Sequence, residues 1–306
     1  MVTIYHKTVK DNAPKSLAKF RPGSWIHAEK PSEQEIIQLT EELGIETDLI
    51  RDALDPYEVP RLEHEGDVTY LFTRVPHQEG TRVFTTPVLI ALGPTFVLSV
   101  TSEPLPFLQR FAQGEKPFYT TQKTKFFLQL FTEINAVYNS FIITMSRRVR
   151  SSSGQLENIT NRQIAQFVNY ESILNDFLSA LVPTNTSLNT LLHGRILRLY
   201  ENDADLVEDL LLSNTQLTEL AKSNLKTIVN IREAYSTIVT NNLNQVLKLL
   251  TSITIIMTVP MIISSFYGMN VTLPLSQSPY AFYGILGLTL IITLVLVATF
   301  IRNRWL

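Results

Sequence analysis

Cysteine is absent from the 306-residue chain, and histidine occurs only five times. Without cysteine there are no disulfides, no thiolate catalysis and no cysteine-ligated metal. The histidines lie at positions 6, 27, 64, 77 and 193, and these spacings do not form a metal motif such as H-E-x-x-H. The sequence also lacks a Gly-rich phosphate loop and a G-x-S-x-G motif. These absences argue against an enzyme and against a nucleotide partner.

Charge is missing from the 53 residues of Leu249–Ile301, which contain no Asp, Glu, Lys, Arg or His. A charge-free run of this length exceeds the needs of one buried core helix, and it suits two membrane crossings joined by a short turn. We expect spans at 249–267 and 281–301. As helices they are about 28–32 Å long, which matches the hydrocarbon core of a lipid bilayer.

The basic residues that flank these spans predict their orientation. Lys248 precedes the first span, Arg302 and Arg304 follow the second, and the connecting segment carries no positive charge. The positive-inside rule therefore places the region that precedes the first span and the basic tail at 302–306 on the cytosolic side of a cell membrane. It places the loop at 268–280 on the outer side. The first twenty residues lack the apolar core of a signal peptide, which agrees with this orientation. A hairpin that only anchors a soluble part fits the same topology.

Proline and glycine are both absent from the 65 residues at 195–259. Apolar residues recur there at threes and fours, the helical pattern. We predict one helix at 204–267, about 95 Å long at a rise of about 1.5 Å per residue. No membrane is that thick, so this stalk helix must begin in the cytosol and end in or beyond the bilayer.

The N-terminal region mixes two patterns. Runs of β-branched and aromatic residues predict strands at 2–6, 24–28, 68–75, 82–92 and 95–100. Ser32 and Glu35 form a capping box that begins a helix at 32–43. We predict an α/β domain with a mixed sheet at 1–120.

A helical hairpin is predicted next, at 121–203, and Pro183 is expected to end its second helix near 181. Up to Lys248 the chain carries 24 basic and 28 acidic residues. This mild acidity argues against a nucleic-acid partner.

A polar stripe follows the predicted long helix at a spacing of about 3.5 residues, the period of a seam that faces partner helices. Its positions are Glu233, Thr237, Thr240, Asn244, Leu247, Thr251, Thr254, Thr258, Met261 and Ser265. Hydrocarbon cannot satisfy hydroxyl and amide groups, so the stripe should face other helices or water. It predicts either hydrogen bonds between helices or a water-filled lumen, and a lumen requires an oligomer because two spans cannot enclose one.

Directly after the first predicted span comes Tyr267-Gly268-Met269-Asn270. The Gly-Met-Asn tripeptide in this position, before a second apolar span and a basic tail, resembles the signature of CorA-type magnesium and divalent metal ion transporters. The resemblance extends over the whole chain in architecture and is clearest from 201 to 306. It implies an α+β membrane protein with a cytosolic α/β/α domain, a very long stalk helix that continues into the first of two C-terminal transmembrane helices, and a homopentameric funnel.

For the outer mouth, the resemblance implies that Tyr267, Gly268, Met269 and Asn270 receive the ion. Asn270 would form a ring that contacts hydrated Mg²⁺, and Gly268 would add backbone carbonyls. Because Mg²⁺ gives up water reluctantly, contact through its waters is chemically reasonable.

Further along the pore, the resemblance assigns Asn244 to a pore asparagine and Glu233 to an acidic ring deeper in the stalk. Leu247 and Leu250 match a hydrophobic constriction that can close by dewetting.

Regulation by cytosolic Mg²⁺ is also implied by the resemblance. Asp52 and Asp209 align with acids that bind Mg²⁺ between subunits and hold the assembly closed. Carboxylates brought together across an interface repel one another unless a cation neutralises them. The plainer interpretation is that the acids near Asp209 are a solvated helix start favoured by the helix dipole.

Several positions depart from the family pattern. The loop at 271–280 lacks acidic residues, Thr258 stands where a bulky Met is common, and Arg51 stands beside Asp52 where a second acid is expected. The basic tail is reduced to Arg302 and Arg304.

The sequence favours passive uptake of Mg²⁺, with Co²⁺ or Ni²⁺ as further candidates. Its pore segment has neither Cys nor His, which favours hydrated hard cations. The alternatives are a ZntB-like Zn²⁺ transporter with the same fold, and a membrane-anchored coiled-coil scaffold without transport.

Overall fold

A computed structural model describes residues 1–153, 159–193, 196–197, 199–271, 273 and 278–305. The chain divides into two units, Met1–Asn230 and Ile231–Leu306. Residues 272 and 274–277 of the predicted outer loop, and Leu306 of the predicted basic tail, lie outside the described part.

A mixed sheet of seven strands forms the centre of the first unit, in the order β2-β1-β3-β7-β6-β5-β4. The strands are β1 (Val2–His6), β2 (Lys15–Leu17), β3 (Ser24–Glu29), β4 (Arg61–Glu65), β5 (Val68–Glu79), β6 (Arg82–Leu92) and β7 (Phe96–Thr101). The β3 and β7 strands pair in parallel, Ile26 opposite Leu98, and the neighbouring pairs described on either side are antiparallel. The predicted mixed sheet is therefore confirmed.

Helices cover both faces of this sheet. On one face, α1 (Glu33–Leu43) and α2 (Thr47–Asp52) bury Ile36 and Leu49 in one apolar cluster with Ile26 and Phe72 of the sheet. The side chain of Trp25 points the other way, because successive strand residues alternate between faces. It packs against Phe126 with the ring centroids 5.3 Å apart. The predicted α/β/α layering is confirmed.

The helices of the opposite face are longer. They are α3 (Pro106–Ala112), α4 (Lys123–Ser153) and α5 (Asn161–His193). The α1 capping box is present as predicted, with the Glu35 N–H donating to Ser32 Oγ and the Ser32 N–H to the Glu35 carboxylate. Gly44 ends α1 at a φ of 66°, a left-handed conformation that glycine adopts without strain.

The prediction that Pro183 ends the second helix of the hairpin is wrong, because α5 continues through it to His193. An interior proline costs a helix about 3 kcal/mol. Buried residues on both sides of Pro183 offset this cost, among them Leu181, Thr184 and Leu188. The Thr184 hydroxyl also contacts the Thr73 hydroxyl of β5 at 3.3 Å, which ties the helix to the sheet.

The α6 helix runs from Glu201 to Tyr267, where the sequence predicts 204–267. Its part in the first unit buries a regular seam at alternating intervals of three and four residues. The seam consists of Val207, Leu210, Asn214, Leu217, Ala221, Asn224 and Ile228. This spacing is that of a helix packed along its length against partners, here within one chain.

The second unit contains the rest of α6 and the α7 helix (Ala281–Arg302). Both α6 and α7 are long and apolar enough to cross a membrane. The described residues of α7 include none that is buried, although Leu288, Ile291 and Leu294 are large and apolar. Because a soluble protein rarely exposes so continuous an apolar surface, these helices require lipid or other chains around them.

Candidate functional site

The polar stripe of α6 is exposed along its whole length within one chain. The ten stripe residues are all exposed: Glu233, Thr237, Thr240, Asn244, Leu247, Thr251, Thr254, Thr258, Met261 and Ser265. Ser252, a polar residue of the same span off the stripe, is instead fully buried and donates to the Lys248 carbonyl at 2.8 Å. A single copy of the chain therefore leaves the stripe available to water or to another copy.

Several hydroxyls of the stripe are bonded to their own helix. Thr254 Oγ1 donates to the Leu250 carbonyl at 2.8 Å, Thr258 Oγ1 to the Thr254 carbonyl at 2.7 Å, and Thr237 Oγ1 to the Glu233 carbonyl at 3.0 Å. These bonds satisfy the hydroxyl donors. The free-energy cost of exposing these threonines to lipid is therefore smaller than that of unbonded hydroxyls. A hydroxyl that donates in this way keeps its acceptor capacity, so the oxygens remain neutral acceptors.

The Asn244 side chain differs from the threonine hydroxyls of the stripe. Its amide carries two donors and one acceptor oxygen, and one hydrogen bond to a backbone carbonyl of the same helix would not satisfy them all. Asn244 lines a shallow depression of about 340 Å³ together with Ser236, Thr237, Thr240 and Asn241. The depression is therefore built of hydroxyls and amides, without a charged side chain. One helical turn further on, Leu247 and Leu250 are exposed and apolar.

The Gly-Met-Asn segment extends the last turn of α6. The Gly268 N–H donates to the Ser264 carbonyl at 3.0 Å, and the Met269 N–H to the Phe266 carbonyl at 3.2 Å. A Cβ at Gly268 would meet the Ser264 carbonyl at 3.4 Å, an ordinary contact. The backbone therefore does not itself require glycine here. Asn270 follows directly, exposed at the helix end.

Asp52 ends α2 and is ion-paired within the chain. Its Oδ2 accepts a hydrogen bond from Arg61 Nη2 at 2.7 Å. Arg61 begins β4, and its guanidinium also contacts the carboxylates of Glu58 and Glu63. Sequence reasoning missed this pairing. Glu58 and Glu63 lie three and two residues from Arg61 in the chain, but Asp52 lies nine residues away and carries no such local signal.

Asp209 lies in a different place, on the exposed side of α6. It lines a cavity of about 520 Å³ between α4 and α6, together with Thr132, Asn135 and Ser213. The Asn135 side chain is buried and donates to the Leu210 carbonyl at 3.4 Å, while its Oδ1 lacks a partner among the described residues. Sequence reasoning also missed Asn135, because one asparagine in an amphipathic helix carries no distinguishing pattern.

Asp52 and Asp209 do not complete a metal site within one chain. Across the residues that the structure describes, there is no group of three or more Asp, Glu, His or Cys side chains placed to hold a metal ion.

The basic tail follows α7 without a break. Arg302 is the last residue of the helix, and Arg304 adopts a φ of 57° that turns the chain. Trp305 then folds back onto Phe300, with ring centroids 5.7 Å apart, and the backbone N–H of Trp305 donates to the Phe300 carbonyl. Both arginines are exposed.

An α/β/α domain followed by a very long helix and a second apolar helix defines a class of membrane protein with two C-terminal spans. The CorA-like Mg²⁺ transporter protein family matches residues 23–302. The chain belongs to this family, so the resemblance seen in the sequence is confirmed. The family is one of transporters.

Among curated proteins, the cobalt/magnesium transport protein CorA of Methanocaldococcus jannaschii is 24% identical over 289 residues, which cover 92% of this chain and 90% of that protein. The complete structure of the CorA magnesium transporter from the same organism matches with a TM-score of 0.87 at 20% identity, and covers 100% of this chain and 99% of that one.

The ZntB cytoplasmic domain from Vibrio parahaemolyticus is a more distant match. It superposes with a TM-score of 0.63 at 10% identity, and covers 77% of this chain and 96% of that one. At these identities the structural matches establish the fold, and they confirm the predicted N-terminal α/β domain with a long helix and a second apolar C-terminal helix. The match to a full-length CorA structure extends over both apolar helices, whereas the ZntB match covers a cytoplasmic domain.

Proposed function

We propose that this protein mediates uptake of Mg²⁺ across a cell membrane, down the electrochemical gradient, with Co²⁺ as a second cargo. The observation that carries the proposal is the family match over residues 23–302. It is joined by an exposed polar stripe that leads along α6 to the Gly-Met-Asn segment. The name of the M. jannaschii relative, a cobalt/magnesium transport protein, supports both cargoes.

The transporter is proposed to be a homopentamer, with the α6 stripes of the subunits facing one central lumen. The described part of the chain contains two helices that are long and apolar enough to cross a membrane, too few to enclose a water path. Leu243 and Val246 are large, apolar and exposed in one chain, immediately before the first span. Packing against a neighbouring copy would bury them. The number five comes from the family resemblance.

The proposed ion path is built from neutral oxygens. Rings of Thr251, Thr254, Thr258 and Ser265 would present acceptors to a hydrated ion, because the hydroxyl protons of Thr254 and Thr258 are held by the backbone. A neutral acceptor suits the outer waters of Mg²⁺, which keeps much of its hydration shell. Met261 would narrow the path among them.

At the two ends of the path, different chemistry is proposed. Asn270, with Tyr267, Gly268 and Met269, forms the mouth. At the cytosolic end, Asn244 with Thr237 and Thr240 receives the ion, Leu247 and Leu250 form the closing constriction, and Glu233 forms the acidic exit ring. Carboxylates there attract a divalent cation that has passed the neutral section.

Regulation is proposed to act through Asp52 and Asp209, with cytosolic Mg²⁺ binding between subunits. Both side chains are exposed or half-exposed in one chain, and neither belongs to a complete metal site among the described residues. Binding between copies accounts for both facts. Loss of internal Mg²⁺ would leave like charges facing each other and loosen the closed ring.

The proposed orientation places both chain ends in the cytosol, with Arg302 and Arg304 near the inner surface. A divalent cation then gains about 4.6 kcal/mol per 100 mV of inside-negative potential. This drive makes a nucleotide unnecessary. A ZntB-like Zn²⁺ transporter or a scaffold without transport would share much of the fold, and the following measurement separates them.

The test is Mg²⁺ influx into liposomes that contain the purified protein, with and without Asn270→Ala. We expect the wild type to conduct Mg²⁺ and the variant to lose at least tenfold, because the mouth loses its amide ring. Asn242→Ala, an exposed asparagine of α6 off the stripe, is the matched control and should conduct normally. Oligomer size by gel filtration should be the same for all three. Wild-type protein that conducts Zn²⁺ but not Mg²⁺, or neither ion, would overturn the proposal.

A further inference from the structure

Arg61 lies at the centre of three carboxylates near the end of α2. Its Nη2 donates to Asp52 Oδ2 at 2.7 Å, and the rest of the guanidinium contacts Glu58 and Glu63. Asp52 and Glu63 are 46% and 40% exposed, whereas Glu58 is 14% exposed. The guanidinium is therefore a positive charge shared by the three carboxylates, and it offsets part of their negative charge.

The aromatic ring of Phe72 holds this cation in place. The Arg61 Cζ atom lies 3.8 Å from the centroid of the Phe72 ring, and Phe72 is buried in the sheet core. Stacking on an aromatic face and bonding to several carboxylates restrict the rotamers of an arginine, which is otherwise a flexible side chain. These contacts therefore hold the Arg61 guanidinium beside Asp52.

The neighbouring arginine behaves differently. Arg51 precedes Asp52 in the chain, yet its guanidinium contacts Glu33 and Asp48. Side-chain contact with Glu33 and the charge of that carboxylate raise the pKa of Arg51. Arg51 therefore stabilises the junction of α1 and α2, and Arg61 is the arginine that meets the proposed regulatory acid.

We propose that Arg61 is a tethered competitor for the cation position at Asp52, and that it sets the affinity of the proposed Mg²⁺ sensor. This inference rests on the proposed function of Asp52. Mg²⁺ that approaches Asp52 must displace the Arg61 bond or bind beside a fixed positive charge, and both lower its affinity. The guanidinium also contacts Glu58 and Glu63, so it keeps two carboxylate partners when Mg²⁺ displaces its bond to Asp52.

The size of the effect follows from the bond that Mg²⁺ must break. Partly exposed ion pairs contribute about 0.2–1 kcal/mol, a factor of about 1.4 to 5 in an equilibrium constant, and a fixed like charge adds to it. We therefore expect removal of the Arg61 charge to strengthen Mg²⁺ binding at least threefold, about the upper part of that range.

The experiment is limited proteolysis of the full-length protein in detergent across a series of Mg²⁺ concentrations. The concentration that gives half-maximal protection is compared for the wild type, Arg61→Gln and Arg61→Met. Both variants should shift it at least threefold downward, because both remove the charge, and methionine keeps apolar packing on Phe72. Arg61→Lys keeps the charge and should stay near the wild-type value.

Two controls separate this inference from the proposed function. Arg51→Gln removes a neighbouring arginine that does not bond to Asp52, and it should leave the midpoint unchanged. Asp52→Ala should abolish protection by Mg²⁺. If Asp52→Ala abolishes protection but both uncharged Arg61 variants keep or raise the wild-type midpoint, the competitor role is overturned and the sensor stands. If Asp52→Ala keeps normal protection, the sensor itself fails.

Discussion

At the scale of single residues, the first unit contains a buried histidine that the proposed ion path does not use. His27 lies in β3, and its Nδ1 is 2.9 Å from Ser99 Oγ, which also accepts a hydrogen bond from Trp25 Nε1. Its Nε2 lies 3.8 Å from a Glu29 carboxylate oxygen. Burial lowers the pKa of His27 to about 4, and the nearby chain amino group acts in the same direction. The imidazole is therefore neutral at pH 7.

The lowered pKa of His27 predicts that acid decreases the folding stability of the protein. The ordinary pKa of histidine is about 6.5, so between pH 6.5 and 4 the unfolded chain binds a proton that the folded chain does not. Stability should therefore fall as pH falls through this window, by at most about 3 kcal/mol. Denaturant unfolding of the full-length protein at pH 6.5 and 4.5 measures the fall.

The carboxylates also titrate in this window, so the informative quantity is the difference between variants. His27→Gln should be less sensitive to acid than the wild type. His193→Gln replaces an exposed histidine and should respond as the wild type does. An equal pH slope in the wild type and His27→Gln contradicts the prediction.

Residue-scale prediction from sequence succeeds where the signal is local and fails where it depends on the fold. The Ser32 and Glu35 capping box is a pattern of four consecutive residues, and it is present. The bond between Asp52 and Arg61 depends on the loop between α2 and β4 bringing the chain back, and spacing alone does not reveal that. The roles of Asn244 and Asn270 stay predictions.

At the scale of elements, buried amides as well as apolar packing hold the part of α6 that belongs to the first unit against its neighbours there. Asn214 Nδ2 donates to the Leu181 carbonyl at 2.8 Å and contacts Asn185 Oδ1 at 2.9 Å, and Asn224 Nδ2 donates to Ser146 Oγ at 2.6 Å. An amide in an apolar seam bonds in one register only, so these contacts fix how α6 lies along α4 and α5.

The energetic consequence can be measured at Asn214. Asn214→Ala should lower the free energy of unfolding by about 1–3 kcal/mol, because it removes two bonds from a buried site, to the Leu181 carbonyl and to Asn185 Oδ1. Denaturant unfolding of the full-length protein measures the loss. Gln216→Ala, an exposed position two residues away, should change stability by less than about 0.5 kcal/mol. Equal stability of the two variants would show that the buried amide does not hold α6.

Element prediction worked best for α6 and worst for α5. The absence of proline and glycine made a long helix the natural prediction, since neither residue interrupts the pattern. Pro183 predicted a helix end that the structure does not have. Sequence alone does not show that Leu181 and Leu188 are buried on either side of this proline. Packing partners decide whether a proline ends a helix.

At the scale of the whole molecule, the sequence predicts that several copies assemble into a ring, but it does not predict how many. The stripe has the period of a helix seam, and its residues are exposed in one chain, so it needs partners or water. The number of copies depends on how neighbouring stalks fit side by side, which one chain does not encode in a readable pattern. The preferred ion likewise depends on the width of the assembled path.

The central claim is that the α6 stripe lines the path that Mg²⁺ takes. Because the chain has no cysteine, one introduced thiol reports from one place. Thr254→Cys puts it on the stripe, and Ile256→Cys puts it about 200° around the helix. The measurement is Mg²⁺ influx into liposomes before and after a membrane-impermeant, positively charged thiol reagent. We predict that the reagent blocks influx through Thr254→Cys and leaves Ile256→Cys unaffected. Undiminished influx through Thr254→Cys, or block through Ile256→Cys alone, would contradict the account.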